Sequence, residues 1–435
     1  MRSSYAKIRD VINPSAYMNI NVHACYNQFI YTLKITYKYS LQPNIFHQIL
    51  LGSCSEMTGK KLIMVPGPTN VPDSVMRAMI KPIISHRSEE FRRLYESLTE
   101  NMRYLFQTEG DVFALTVSGT GGVDCMIYNT ISPGDKVVVP VFGLFSERMK
   151  QAIIRRGGKP IEIRSSWGKC PTAEQIREAI EREGNVKAIA IVYNETSTGV
   201  TFRELPQIGK IAQENDLLLL VDAVSILGGD ELPVDRWKVD VCVTASQKCI
   251  ACPPGLALFS VSERAWEIIE KTQRPFYFDM IMMREFNEKS ETPFTPSIPL
   301  FYALDEALKI IREEGLSRRF IRHKICSEAF YDAIETLGLE ILPEKAVRSQ
   351  TVITFKIPEG IDGAAIRRIM DEKNGVVIAG GAGKLKESTL RIGCMGIISE
   401  KETMLTIYAL ENALQSLGYK FEYGSGVEAA RMRFQ

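Results

Sequence analysis

From about residue 110 the chain alternates short runs of consecutive aliphatic residues with longer amphipathic stretches. The runs are VFALTVS (112–118), KVVVPV (136–141), AIAIVYNE (188–195), LLLLVDAV (217–224), VCVTAS (241–246) and LALFSVS (256–262). Each is strand-sized and apolar throughout, which predicts strands buried on both faces. The stretches between them, such as AEQIREAIERE and PQIGKIAQEN, carry the 3.6-residue period of helices that pack by one face. Strands of this kind alternating with helices predict an α/β fold built on a mostly parallel sheet covered on both sides. The breakers SPGD and CPPG fall where the pattern needs turns.

The texture changes from about residue 315. A helix over 316–337 followed by QTVITFKIP, GVVIAGG and STLRIGCMG predicts a small α+β domain. The expected plan is a large domain over 57–310 with an N-terminal arm at 57–90, a small domain over 311–425, and a tail at 426–435. Residues 1–56 stand apart, with 6 of the 16 tyrosines, two acids (Asp10 and Glu56) and no sustained period. They are expected to be a non-native or poorly ordered extension, with the true start near Met57 or Met64, because KKLIMVPGPTNVP opens the organised chain.

Composition narrows the partners. Lysine plus arginine (53) nearly balances aspartate plus glutamate (52), so bulk charge makes no case for nucleic acid or an anionic membrane surface. No stretch is long and apolar enough to span a bilayer. The nine cysteines follow no secreted-type framework, which points to free thiols in a reducing, cytoplasmic setting.

In open α/β sheets, ligands bind beyond the carboxyl ends of the strands. The polar residues closing the aliphatic runs are therefore the ones that bear chemistry: Ser118-Gly119-Thr120-Gly121-Gly122, Asn194-Glu195-Thr196, Asp222, and Ser246-Gln247-Lys248. A lysine desolvated at such a rim has a lowered pKa and is a competent amine for a Schiff base; a solvated strand-end lysine is the plain alternative. Asp222 ends a run too apolar for an edge loop, so it is either a satisfied buried carboxylate or the partner of a protonated ring nitrogen. The glycine-rich turn lets backbone N–H groups approach an anion at the start of a helix expected near Val123, and it fits neither a Walker loop nor GxGxxG. Phe145 either stacks on a flat ring or fills the core. Arg391 either clamps a carboxylate or lies on the surface.

Taken together, VPGPTNVP, SHRSEEF, SGTGG, the PGD turn, NETSTG, LLLVDAVSILGG, SQK before PPG, and LRIG resemble a class V aminotransferase of fold type I. The resemblance runs from about Met64 to Tyr419 and is strongest to the alanine–glyoxylate and serine–pyruvate aminotransferase group. It implies pyridoxal 5′-phosphate bound through Lys248, with Asp222 on the ring nitrogen and Phe145 as the stacking residue where tryptophan is common. It further implies cofactor contacts from Ser118, Gly119, Thr120, Thr196 and Gln247, and a substrate carboxylate clamp at Arg391. Thr295 matches a residue that reaches the phosphate of the neighbouring subunit, so a homodimer with shared active sites is implied. Thr292 stands where relatives have a tyrosine, which puts that contact in doubt.

The reaction so implied passes an amino group from alanine or serine to glyoxylate or pyruvate with ping-pong kinetics. Aspartate or phosphoserine as donor is the alternative, because Arg87, Arg148 and Arg274 are unplaced; His86 is placed either near the site or in the framework. Cysteine desulfurase chemistry needs a cysteine on a loop before the clamp arginine, and none lies between Ile341 and Arg391, with Cys394 beyond it. Lyase or kynureninase-like chemistry, or an inactive scaffold, are further alternatives on the same fold. Cys249 and Cys252 have C-x-x-C spacing, but no second CxxC or histidine pair completes a zinc site, so two core thiols and no metal are expected.

Overall fold

The computed structural model describes residues 61–435. The expectation of a poorly ordered extension over residues 1–56 lies outside the described residues.

All six aliphatic runs form strands, and a seventh joins them. β1 (Asp111–Thr116), β2 (Lys136–Val141), β3 (Lys159–Arg164), β4 (Val186–Val192), β5 (Leu218–Asp222), β6 (Val241–Ala245) and β7 (Leu256–Val261) pair in the order β1-β7-β6-β5-β4-β2-β3. β7 is antiparallel to both neighbours, and the remaining pairings are parallel. Side chains alternate between faces along a strand, so each strand feeds two cores. Ile189, Ile191, Leu219 and Val221 join one core with Phe91 and Leu98 of helix α1 (Glu89–Phe106). Ala188, Ala190, Leu218 and Leu220 join the other with Met126 of α2 (Gly119–Thr130) and Ile153 of α3 (Leu144–Arg156). Such double burial is why these strands read as unbroken apolar runs. β3, KPIEIR, is a half-exposed edge strand without that signature.

The long helix α4 (Ile298–Glu314) runs through residue 310 and stops at Gly315, whose φ of 79° lets the chain turn into α5 (Leu316–Thr336). α5 then covers a second sheet of β8 (Val352–Lys356), β9 (Ala379–Gly380) and β10 (Thr389–Gly393), ordered β8-β10-β9 and antiparallel throughout. A separate core of Phe330, Ile334, Phe355, Leu390 and Leu410 fills this lobe. The arm at Leu62–Ile63 pairs in parallel with Val376–Val377 of the second lobe, although its sequence precedes the first. The helix Ser425–Arg431 lies at the C-terminal end, anchored where buried Glu411 accepts the N–H groups of Gly424, Gly426 and Val427.

Candidate active site

Because β1, β4, β5 and β6 run in one direction, their carboxyl ends share an edge of the sheet, and the rim residues read from the sequence converge there. Gly119, Thr120, Phe145, Thr196, Asp222 and Lys248 line one open cleft of ≈ 580 Å³. Helix α2 begins at Gly119 itself, four residues before the expected start, with Ser118 as its N-cap: Ser118 Oγ accepts the Gly121 N–H at 3.2 Å. The glycines therefore form the first helical turn, in which the N–H groups of Gly119 and Thr120 have no intrahelical acceptor.

Lys248 follows β6 with its side chain half buried. Its Nζ donates to the carbonyl of Pro66, and burial, the largest influence, lowers its pKa to about 8. The stem lies against Gly67, where an added Cβ would come 2.4 Å from Lys248 Cδ. Thr69 of the arm completes the seat: its Oγ1 donates to the Lys248 carbonyl at 3.2 Å, and its N–H to the Gln247 carbonyl at 3.2 Å. Asp222, at the end of β5, accepts the Val224 N–H at 2.9 Å on Oδ1, while Oδ2 has no donor among the described residues. Burial raises this carboxyl to about 6 against the opposing pull of the Val224 N–H. Gln247 Oε1 is likewise buried without a partner. An unpaired carboxylate oxygen, an aromatic side wall, a lysine and a helix N-terminus are the donor set that a flat ring with a basic nitrogen and a phosphate requires, so the residues present fit pyridoxal phosphate.

Phe145 sits at the start of α3, half buried in the cleft, with the Arg148 guanidinium 4.9 Å from its ring centre. Arg391, on β10, is not itself among the lining residues but borders the cleft through Thr196: Nε donates to the Gly380 carbonyl at 2.9 Å and one terminal nitrogen to the Thr196 carbonyl at 3.1 Å. Its other terminal nitrogen has no acceptor among the described residues, and burial lowers its pKa while Glu195 opposes that shift. Thr295 is exposed and lies outside this cleft, lining a second one of ≈ 380 Å³ with Tyr95, Phe113 and Tyr277.

The unplaced arginines separate cleanly. Arg87 pairs with Glu291 at 3.2 Å and donates to the Thr292 carbonyl at 2.7 Å, and Arg274 pairs with Asp279 at 2.8 Å. Arg148 lines the cleft and has no carboxylate partner among the described residues. His86 lies beside Arg87 and Glu291 and is not part of the cleft lining. Cys249 and Cys252 are buried free thiols, and burial pushes the Cys249 thiol up to about 12.

Two contributions escape a reading of strand ends. One is the Pro66–Thr69 turn, which seats Lys248 from 182 residues away in sequence; a Gly-Pro pair just after a strand is its sole sequence mark. The other is Glu195, named as a rim residue but without a role. Its carboxylate points away from the cleft into the base of α3.

Comparison with known proteins adds the family. A model described as aminotransferase class-V matches residues 64–402. An uncharacterized aminotransferase of Methanocaldococcus jannaschii is 42% identical over 86% of this chain and 97% of its own. The serine–glyoxylate aminotransferase of Methylorubrum extorquens is 35% identical over 86% of this chain and 95% of its own. Among solved structures, the alanine–glyoxylate aminotransferase of Nostoc sp. superposes with a TM-score of 0.79 at 32% identity, covering 87% of this chain and 98% of that one.

Proposed function

The chain belongs to the class-V aminotransferase family, and from that premise we propose that it moves an amino group from alanine or serine to glyoxylate or pyruvate, using pyridoxal 5′-phosphate held at Lys248. The observation that carries the reading is one cleft holding a lysine amine lowered to about 8, a carboxylate with a free oxygen, and an aromatic wall. The serine–glyoxylate and alanine–glyoxylate relatives support the choice of substrates.

Lys248 Nζ would hold the cofactor covalently, Asp222 Oδ2 would pair with its ring nitrogen, and the start of α2 at Gly119 and Thr120 would receive its phosphate, with Ser118 and Gln247 flanking. Phe145 would support the ring face and Thr196 its phenolic edge. When bound, the cofactor supplies a ring that accepts the electrons released as a substrate Cα–H bond breaks. Released when the substrate's own amine takes its place, the Lys248 amine would take that proton at Nζ and later give it back, which is general acid–base work suited to a pKa near the operating pH. Asp222, ionised above about pH 6, keeps a proton on its partner nitrogen through the cycle. Arg391 offers its free terminal nitrogen to the carboxylate that every candidate substrate carries.

A homodimer is part of this proposal. Support comes from large apolar side chains left in water, Ile80 at 83%, Ile83 at 69% and Phe276 at 73% exposure, of which Phe276 packs on Phe294 next to Thr295. No helix among the described residues is long and apolar enough to cross a membrane. A cytoplasmic setting is proposed from the free thiols. One observation favours a second donor class: Arg148, an unpaired cation in the cleft, suits an amino acid with a second acidic group, such as aspartate or phosphoserine.

The visible spectrum of purified protein tests the proposal. A yellow band that bleaches with L-alanine or L-serine and returns with glyoxylate or pyruvate is expected. Protein that takes up no pyridoxal phosphate would overturn it, and bleaching by L-aspartate alone would select the second reading.

A further inference from the structure

Beneath the cleft, the NETSTG turn connects two parts that otherwise belong to different lobes. Glu195 is fully buried, and its carboxylate collects the N–H groups of Phe145 (3.0 Å), Ser146 (2.9 Å) and Ser197 (3.2 Å) and the hydroxyls of Ser146 (3.0 Å) and Ser197 (2.6 Å). Ser197 Oγ also accepts the Leu144 N–H at 2.9 Å. Helix α3 has no side-chain cap from its own N-cap residue, Gly143. Glu195 therefore supplies from another element both the acceptor and the negative charge that a helix start calls for. Gly143 leaves room for it: a Cβ there would meet Glu195 Cγ at 2.2 Å. The residue held most directly is Phe145, the aromatic wall. The next residue along the turn, Thr196, gives its carbonyl to Arg391 of the second lobe. Two further backbone bonds close the turn on itself, from Thr198 and Gly199 N–H to the Glu195 carbonyl.

We propose that Glu195 is a positioning residue that sets the distance between the Phe145 wall and the Arg391 clamp. A carboxylate makes a stiff joint here because its hydrogen bonds are charge-assisted and leave neither oxygen free to rotate away. The consequence is that ring support and substrate carboxylate recognition are adjusted together. This inference rests on the cofactor reading above. Glu195 touches neither substrate nor cofactor in it.

The test uses the full-length holoenzyme. Glu195→Gln turns one acceptor oxygen into a donor facing N–H groups, which frees the start of α3 while keeping the side chain's size. The expected result is a roughly tenfold weaker hold on pyridoxal phosphate, measured as the dissociation constant from the apoprotein, of the order that a lost charge-assisted bond produces. A reduced visible circular dichroism of the bound cofactor and a raised KM for the oxo acid should accompany it. In a Phe145→Ala background the same substitution should leave the dichroism where Phe145→Ala alone puts it. Should Glu195→Gln fail to fold, Ser197→Ala removes one of the five donors, the hydroxyl, together with the acceptor of the Leu144 N–H, and is expected to move the same quantities the same way by a smaller factor. Unchanged dichroism and affinity in folded variants would overturn the proposal. So would an equal Glu195→Gln effect with and without Phe145, which marks a framework role. If Phe145→Ala itself leaves the dichroism intact, the reading of Phe145 as the ring wall fails, and the inference falls with it; failure of Glu195→Gln beside a responsive Phe145→Ala sinks the inference alone.

Discussion

At the scale of single residues, burial pushes the two principal groups of the cleft in opposite directions: the Lys248 amine falls to about 8 and the Asp222 carboxyl rises to about 6. Desolvation disfavours whichever form is charged, so one cause produces both shifts. Between these values Asp222 is largely ionised while the neutral fraction of Lys248 climbs. Covalent capture of pyridoxal phosphate by the apoprotein should therefore accelerate as pH rises through about 8, and level off above it. A stopped-flow pH series that keeps rising toward pH 10.5, the ordinary lysine value, would show that the amine is not lowered. Arg148 yields a second expectation. Arg148→Gln should raise KM for L-aspartate by about tenfold, the worth of one ionic hydrogen bond, and leave L-alanine unaffected; equal effects on both would remove Arg148 from donor selection. The rim positions of Lys248 and Asp222 were legible in the sequence because a charged residue closing an apolar run is conspicuous. The role of Glu195 was not, since a buried carboxylate at a helix start looks, in one dimension, the same as one facing a ligand.

At the scale of elements, the pattern predicted strands well where both faces are buried and missed β3, whose alternation of exposed and half-buried positions lies at the sheet edge. The start of α2 was placed late because glycine weakens helices, yet Ser118 and the tight seat against β6 carry the helix back to Gly119. The arm was harder still. Its pairing with Val376 and its contact with Lys248, the latter across 182 residues, are long-range, and local periodicity holds no information about either. The Pro66–Thr69 turn has a sharp test. Gly67 has φ 90° and no room for a methyl group beside Lys248, so Gly67→Ala combines backbone strain with displacement of the lysine stem. A loss of about 1–3 kcal/mol is expected from the backbone conformation, together with slower capture of the cofactor. Normal capture with an unchanged melting temperature would mean that the turn moves freely and does not seat the lysine.

At the scale of the molecule, the two lobes meet at a buried cation. Arg319, 2% exposed near the start of α5, donates through Nε to the Gly228 carbonyl at 2.8 Å and through one terminal nitrogen to the Cys249 and Gly396 carbonyls. Its other terminal nitrogen pairs with Glu314 at 2.6 Å, and Arg322 holds the same glutamate and the same Gly396 carbonyl from one turn along. The joint thus grips the residue after Lys248, the large-lobe loop at Gly228 and the small-lobe loop at Gly396 with one planar group. Lysine would match the charge but not the fork. Removing the guanidinium leaves buried acceptors without a donor, at a cost of about 1–3 kcal/mol each. In Arg319→Met, Glu314 keeps Arg322, so the stranded groups are the Gly228 carbonyl and the carbonyl of Cys249, the residue after Lys248. The second lobe has its own core of Phe330, Phe355 and Leu410, and it also meets the first where Thr351 Oγ1 donates to the Ser225 carbonyl at 2.9 Å and the Ser349 N–H to the Gly199 carbonyl at 2.9 Å. Calorimetry of Arg319→Met should show melting at a lower temperature than the parent, with the cofactor released at that lower temperature. One transition at the parent temperature would mean that packing between the lobes, not this arginine, holds them in register.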